Sequence, residues 1–205
     1  VKKYAPQSIL IVVSNPLDAM LAVALKVTGF PRERVIGMSG VLDSSRFRTN
    51  IARMLDVHTK DVSAIVIGAH TDKDMVPVIS TATVGGVPLS ALMSSSELTD
   101  LIAKTKRGGA EITELIGTSA WIAPGFGVTA MVESIVHNQG RILPCSVELK
   151  GEYGFSEGCL CVPVKLTNQG AVKVLEIDLS SAEKEASKSS HAAFLEVRKI
   201  ALSTV

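Results

Sequence analysis

Residues Ser8-Ile9-Leu10-Ile11-Val12-Val13-Ser14 form a short, unbroken apolar run closed by Asn15-Pro16. A run without polar alternation is the pattern of a parallel strand covered on both faces. Pro16 has no amide proton to give a ladder, so the strand ends there. Leu17 to Val27 reads as a helix closed by Gly29 and Pro31, and Arg34-Val35-Ile36-Gly37-Met38 as a second short strand. Strand, helix, strand is one βαβ unit, and a lone parallel pair exposes too much apolar surface to stand in water. The unit is therefore expected to lack a sheet of its own, so that it borrows a partner or continues sequence lying upstream.

The remaining chain changes character. A helix is expected from about Leu42 to Met54, then a strand over Asp61–Gly68 that delivers His70 at its carboxyl end. Val76 to Val84 followed by Gly85-Gly86 suggests antiparallel strands joined by a tight turn. Glu97 to Ile116 is helical, with Gly108-Gly109 expected to bend it. Ala123 to Asn138 is a further helix, with Pro124 in its first turn. Ile142–Leu149 and Cys159–Leu166 alternate enough to be strands, and Asn168-Gln169-Gly170 turns into Ala171–Leu179. Ser180-Ser181-Ala182-Glu183 is a capping box that opens a last helix ending near Leu202. The fold class is thus α/β at the front and antiparallel α+β behind.

Composition narrows the function. The formal net charge is +1 with 20% charged residues, which excludes a nucleic-acid surface or a polybasic membrane patch. No apolar run reaches the ~18 residues of a membrane span. The chain starts without Met or a signal-peptide pattern, and its three cysteines have no metal spacing. Buried thiols in a reducing, cytoplasmic setting are expected.

Candidate chemistry gathers at strand ends, where open α/β sheets bind ligands. Asp43 and Arg46 are three apart and share a helix face, whereas Arg48 points elsewhere. His70 has the ordinary pKa for moving a proton near neutrality. Asp43 could fix its tautomer, Arg46 could grip a carboxylate bidentately, and Asn15 could donate its amide to a substrate oxygen. Such a set suits a 2-hydroxy or 2-oxo acid, with hydride transfer left to a nicotinamide. Blander alternatives stand beside it: a solvated helix start with an i,i+3 ion pair, and a structural histidine. A metal site at His70-Thr71-Asp72-Lys73-Asp74 is not expected, since no second histidine is near. His58, His137 and His191 are expected in solvent, Trp121 in the core, and Ser119 as a helix N-cap.

Val13-Ser14-Asn15-Pro16-Leu17-Asp18-Ala19-Met20, Gly37 through Arg48 and the strand ending at His70 resemble the lactate/malate dehydrogenase family in order and spacing. The resemblance continues through Asp74-Met75-Val76-Pro77, Ser119 to Pro124, Gly151-Glu152-Tyr153-Gly154 and Val162 to Leu166. Met38-Ser39-Gly40, Asp74-Met75-Val76-Pro77 and Ala123-Pro124 are similar to the malate-specific branch that is itself lactate-dehydrogenase-like. The resemblance implies residues 1–39 as the tail of a Rossmann NAD-binding domain and 40–205 as the substrate domain. It implies His70 as catalytic proton acceptor with Asp43 as its partner, and Arg46, Asn15 and Ser119 as substrate-binding residues. Val13, Ser14 and Asn15 would line the nicotinamide pocket of NAD. Malate or oxaloacetate would be the substrate, and a homodimer or homotetramer paired through helices the working form. Lactate dehydrogenase and a non-catalytic interaction module are the alternatives.

Two departures carry expectations. Thr71-Asp72 replaces the usual Gly-Asp, with one residue more before Met75, which is expected to shift the loop carrying the imidazole. The Gly-rich dinucleotide turn, the ribose-binding acid and the mobile loop with its arginines are expected upstream of Val1. Gly125-Phe126-Gly127-Val128-Thr129-Ala130 matches the fingerprint in letters, but no strand precedes it, and it reads as helix packing.

Overall fold

The structure, a computed structural model, describes residues 1–203. Among the described residues eight strands form one mixed sheet. Strand β1 (Leu10–Val12) runs parallel to β2 (Val35–Gly37), with helix α1 (Leu17–Thr28) as the crossover. Helix α2 (Gly40–Leu55) follows and leads to β3 (Val62–Gly68). An antiparallel run comes next: β4 (Met75–Val84), β5 (Val87–Pro88), then helices α3 (Leu89–Leu92), α4 (Ser95–Ile116) and α5 (Ile122–Val136). Strands β6 (Arg141–Glu148), β7 (Cys159–Thr167) and β8 (Gly170–Val174) precede the last helix, α6 (Ser181–Leu202). Across the sheet the order is β1-β2-β6-β7-β3-β4-β5, with β8 also on β7.

The βαβ unit does not lack a sheet. Gly37 of β2 pairs antiparallel with Ser146 of β6, so the front unit is an edge extension of the rear sheet. That junction joins residues far apart in sequence and leaves no local signature. Among the described residues β1 is the outermost strand, and its residues are half-buried.

The larger core packs α1, α5 and α6 against the centre of the sheet through Leu21, Ile36, Met131, Val147, Leu160 and Phe194. A second cluster joins α2, α3 and α4 to β3 and β4 through Phe47, Ile51, Val66, Leu89 and Leu101. Cys145, Cys159 and Cys161 are free and buried, as expected. Trp121, expected in the core, is 71% exposed, and Phe126 beside it 76%. Both lie at the start of α5, whose outer face is apolar. No helix among the described residues is long and apolar enough to cross a membrane.

Two glycine expectations divide. Gly108-Gly109 does not interrupt α4, which runs unbroken from Ser95 to Ile116. Gly127, in the fingerprint-like stretch, packs as expected: a Cβ there would stand 3.1 Å from Met38 Sδ.

The capping box at α6 is formed and does more than cap. Glu183 Oε2 accepts from Ser180 N and Ser180 Oγ, both at 2.8 Å, and from Ser80 Oγ at 2.6 Å. Its Oε1 accepts from Ile79 N and Ser80 N on β4 at 2.8 and 3.0 Å. Burial pushes this carboxyl up, and the bonds from Ser80 and Ser180 outweigh that and hold it below its ordinary 4.5. Its contribution to stability is therefore present above pH 4.5 and lost as pH falls through the lowered value. Glu183→Gln is expected to cost about 2 kcal/mol, since hydrogen bonds to a charged group exceed neutral ones. Urea denaturation at pH 7 and pH 4 measures it, with the difference between the two proteins shrinking at the lower pH.

Candidate active site

Two helix N-termini and one strand end meet at His70. Asp43 lies in the first turn of α2, where the helix dipole favours an anion, so a 2% exposed carboxylate is tolerable there. Strand β3 ends at Gly68, and His70 follows two residues later. His70 Nδ1 lies 2.7 Å from Asp43 Oδ2. The other oxygen of Asp43 faces Arg46, whose Nη1 is 3.3 Å away, the i,i+3 pair expected from the spacing. Arg48 lies on another side of α2, half-buried, where burial and then the charge of Arg141 lower its pKa.

Burial alone would lower the His70 pKa. The hydrogen bond and charge of Asp43, with the charge of Asp18, outweigh burial and the opposing charge of Arg46, so it is raised above 6.5.

His70, Asp43 and Arg46 line a cleft of about 980 Å3 together with Val13, Asn15, Met38 and Ser119. Asn15 sits just past β1 and is joined to Pro16 by a cis peptide bond. Ser14 is exposed between Val13 and Asn15 and is not part of the cleft wall. Ser119 does not cap α5; the N-cap position is Trp121, with no side-chain bond.

The longer loop after His70 does not pull the imidazole from Asp43. Thr71 Oγ1 donates to Asp74 Oδ2 at 2.8 Å and accepts from Asp74 N at 3.0 Å, closing the extra residue into a local ring. His191, expected in solvent, stacks on Phe155 at 4.3 Å between centroids, and its Nε2 is 2.7 Å from Glu157 O. His58 is exposed as expected, with Nδ1 accepting from Lys60 N.

Two features escaped the sequence reading. Helix α4 lies flat on Arg46: a Cβ at Gly109 would be 3.5 Å from Arg46 Nη1 and 3.1 Å from Asp72 Oδ1. The glycine pair is there for close approach, which its position in a helix could have signalled. The second is Asp18, in the first turn of α1. Its Oδ2 accepts the backbone N–H of His70 at 2.7 Å. A single acid on the buried face of an apolar helix was the available signal.

Fold and site together define an α/β protein with a hydrogen-bonded histidine–aspartate pair and an arginine in one cleft at strand carboxyl ends. The family description lactate/malate dehydrogenase, alpha/beta C-terminal domain, matches residues 40–202. Malate dehydrogenase of Parabacteroides distasonis is 48% identical over 183 residues, covering 89% of this chain and 58% of that protein. Malate dehydrogenase of Aeropyrum pernix superposes with a TM-score of 0.94 at 41% identity, over 97% of this chain and 66% of the other. The Cryptosporidium parvum lactate dehydrogenase solved with lactic acid and NAD gives 0.95 at 36% identity, over 98% and 65%. The chain belongs to the lactate/malate dehydrogenase family. It spans 58% of the length of the Parabacteroides distasonis relative.

Proposed function

We propose that this chain carries the substrate side of an NAD-dependent malate dehydrogenase, interconverting malate and oxaloacetate. The observation that carries the reading is the 2.7 Å bond from Asp43 to His70 Nδ1 in the cleft that also holds Arg46. Nδ1 is occupied by Asp43, so Nε2 is left for the substrate. In malate oxidation the C2 hydroxyl proton passes to His70 Nε2, and Asp43 stabilises the imidazolium. Arg46 binds the C1 carboxylate, and Asn15 donates to the C2 oxygen. Ser119 completes the substrate wall. NAD, when bound, accepts the hydride that leaves C2.

The residues present fit the nicotinamide end of NAD. Val13 is 42% exposed at the cleft edge, and buried Met38 also lines the cleft, so the wall near His70 includes apolar side chains. The backbone of Val13 and Asn15 would line that pocket. The turn after β1 is Ser14-Asn15-Pro16, not a glycine-rich one, so pyrophosphate binding is not assigned to it.

Residues 1–39 are read as the tail of the NAD-binding domain and 40–205 as the substrate domain, whose last two positions lie outside the described residues. Exposed Trp121, Ile122 and Phe126 on α5 favour pairing with a second copy as a homodimer or homotetramer. Three free buried thiols suit a cytoplasmic setting within the tricarboxylic acid cycle.

Malate is favoured over lactate by the 41% identity to the Aeropyrum pernix malate dehydrogenase, against 36% to the lactate dehydrogenase, both over structurally superposed chains. NADH oxidation by the full-length protein, with oxaloacetate and pyruvate compared, tests the reading. Turnover with oxaloacetate supports it. Turnover with pyruvate alone makes the protein a lactate dehydrogenase, and none with either leaves a non-catalytic module. Gly109→Ala is expected to raise KM for oxaloacetate several-fold by crowding Arg46. Its melting temperature should hold or rise, because Ala in a helix gains about 0.5–1 kcal/mol over Gly. An unchanged KM would remove α4 from the substrate site.

A further inference from the structure

Asp18 is 6% exposed and belongs to no role assigned above. Its Oδ1 accepts from Ser146 Oγ at 2.6 Å, and its Oδ2 from the His70 backbone N–H at 2.7 Å. Ser146 Oγ also lies 3.0 Å from the hydroxyl of Ser39, the residue before α2. One carboxyl group thus ties α1, β6 and the segment after β3 together at the residue that bears the imidazole. Asp43 grips the same histidine from its ring. His70 is held at two points by two buried acids, each in the first turn of a helix.

We propose that Asp18 is a positioning residue for proton transfer: it anchors the backbone of His70 and sets a second buried carboxylate near its ring. The proposal rests on the dehydrogenase reading above. An amide proton needs only a neutral acceptor, and a buried ionisable one is costlier than that. Burial does push the Asp18 carboxyl above its ordinary 3.8; the bonds from Ser146 and His70 and the charge of His70 offset only part of this. What an acid adds over an amide is charge, and that charge falls on His70. The other titratable or charged groups lining the cavities around His70 are Asp43 and Arg46 from α2, Asp72 and Asp74 from the loop and Glu114 from α4, and the Cys161 thiol of β7 lies near both acids. Arg46 alone is cationic among them.

The test uses Asp18→Ala and Asp18→Asn in the full-length protein. Asp18→Ala leaves the His70 N–H without its acceptor, and kcat for oxaloacetate reduction is expected to fall at least tenfold with KM for NADH unchanged. Asp18→Asn restores an acceptor without the charge: kcat recovers to within about threefold, while the upper limb of the pH profile moves to lower pH. A purely structural role would lower the melting temperature of Asp18→Ala and leave its kcat and pH profile alone, and that result overturns the proposal. Should Asp18→Ala not fold, Asp18→Asn and Ser146→Ala decide it: an unmoved pH profile in both counts against Asp18. NMR titration of the His70 imidazole gives a readout free of turnover. If the wild type reduces neither 2-oxo acid, the dehydrogenase reading fails; a His70 pKa lowered in Asp18→Asn still supports the coupling, and an unshifted one overturns it.

Discussion

Asparagine in place of His70 is expected to slow oxaloacetate reduction by the full-length enzyme about 100- to 10,000-fold, the usual contribution of a positioned acid–base group. The side-chain amide still reaches Asp43, so the fold and KM for NADH should hold, and the loss should fall on kcat. Retained turnover would end the assignment of His70. Direction of reaction gives a second check on the same residue. With His70 as the proposed proton donor, reduction is expected to be fast at low pH and to decline as pH rises through the raised pKa, above 6.5. Malate oxidation needs the neutral ring and rises through the same pKa. The stability that Asp43 lends by holding the imidazolium follows the same sign: fully present below 6.5 and lost as pH climbs past the folded value. Profiles crossing below 6.5 would contradict the net effect of the two acids.

Gly40→Ala is expected to destabilise the protein by about 3 kcal/mol, at the upper end for overpacking a core. Gly40 begins α2 where that helix presses on three strands, β3, β6 and β7. A Cβ there would collide with Cys161 Sγ and stand 2.8 Å from the Val66 carbonyl oxygen and 2.9 Å from Pro144 Cβ. Backbone cannot rotate aside as a side-chain tip can, so α2 itself must move. Asp43 and Arg46 ride on its first two turns, and kcat should fall along with the melting temperature. Gly125→Ala is the control: nothing lies within 4 Å of a Cβ there, so this helix position should be neutral or gain about 0.5–1 kcal/mol. Thermal melts of the two variants read the contrast, and a Gly40→Ala melt matching wild type would show that α2 has room to spare.

Much of the site was legible because its logic is local. Asp43 and Arg46 announce themselves by i,i+3 spacing, and His70 and Asn15 by following apolar strands. What was missed depends on long-range packing. Trp121 is usually buried, and only its place at the start of an outward-facing helix leaves it exposed. Asp18 in a helix's first turn looks like an ordinary dipole partner until its oxygens are traced to Ser146 and His70, 128 and 52 residues away. Nothing local supplies the βαβ unit with a sheet, because its junction with β6 joins Gly37 to Ser146. Gly108-Gly109 reads as a bend in the sequence because a guanidinium against a helix backbone leaves no trace in periodicity.

The last helix has a consequence for when the site comes into being. Ser190 Oγ of α6 accepts the Ala69 N–H at 2.7 Å, one residue before the N–H that Asp18 holds. The segment bearing the imidazole is thus pinned between α1 and α6. During synthesis, β3 leaves the ribosome more than a hundred residues before Ser190 exists, so the Ala69 N–H lacks this anchor until α6 is made. Contacts of such long reach form late and slowly. A nascent chain halted before residue 181 would display the sheet without a working cleft, and competence would arrive as a single late event.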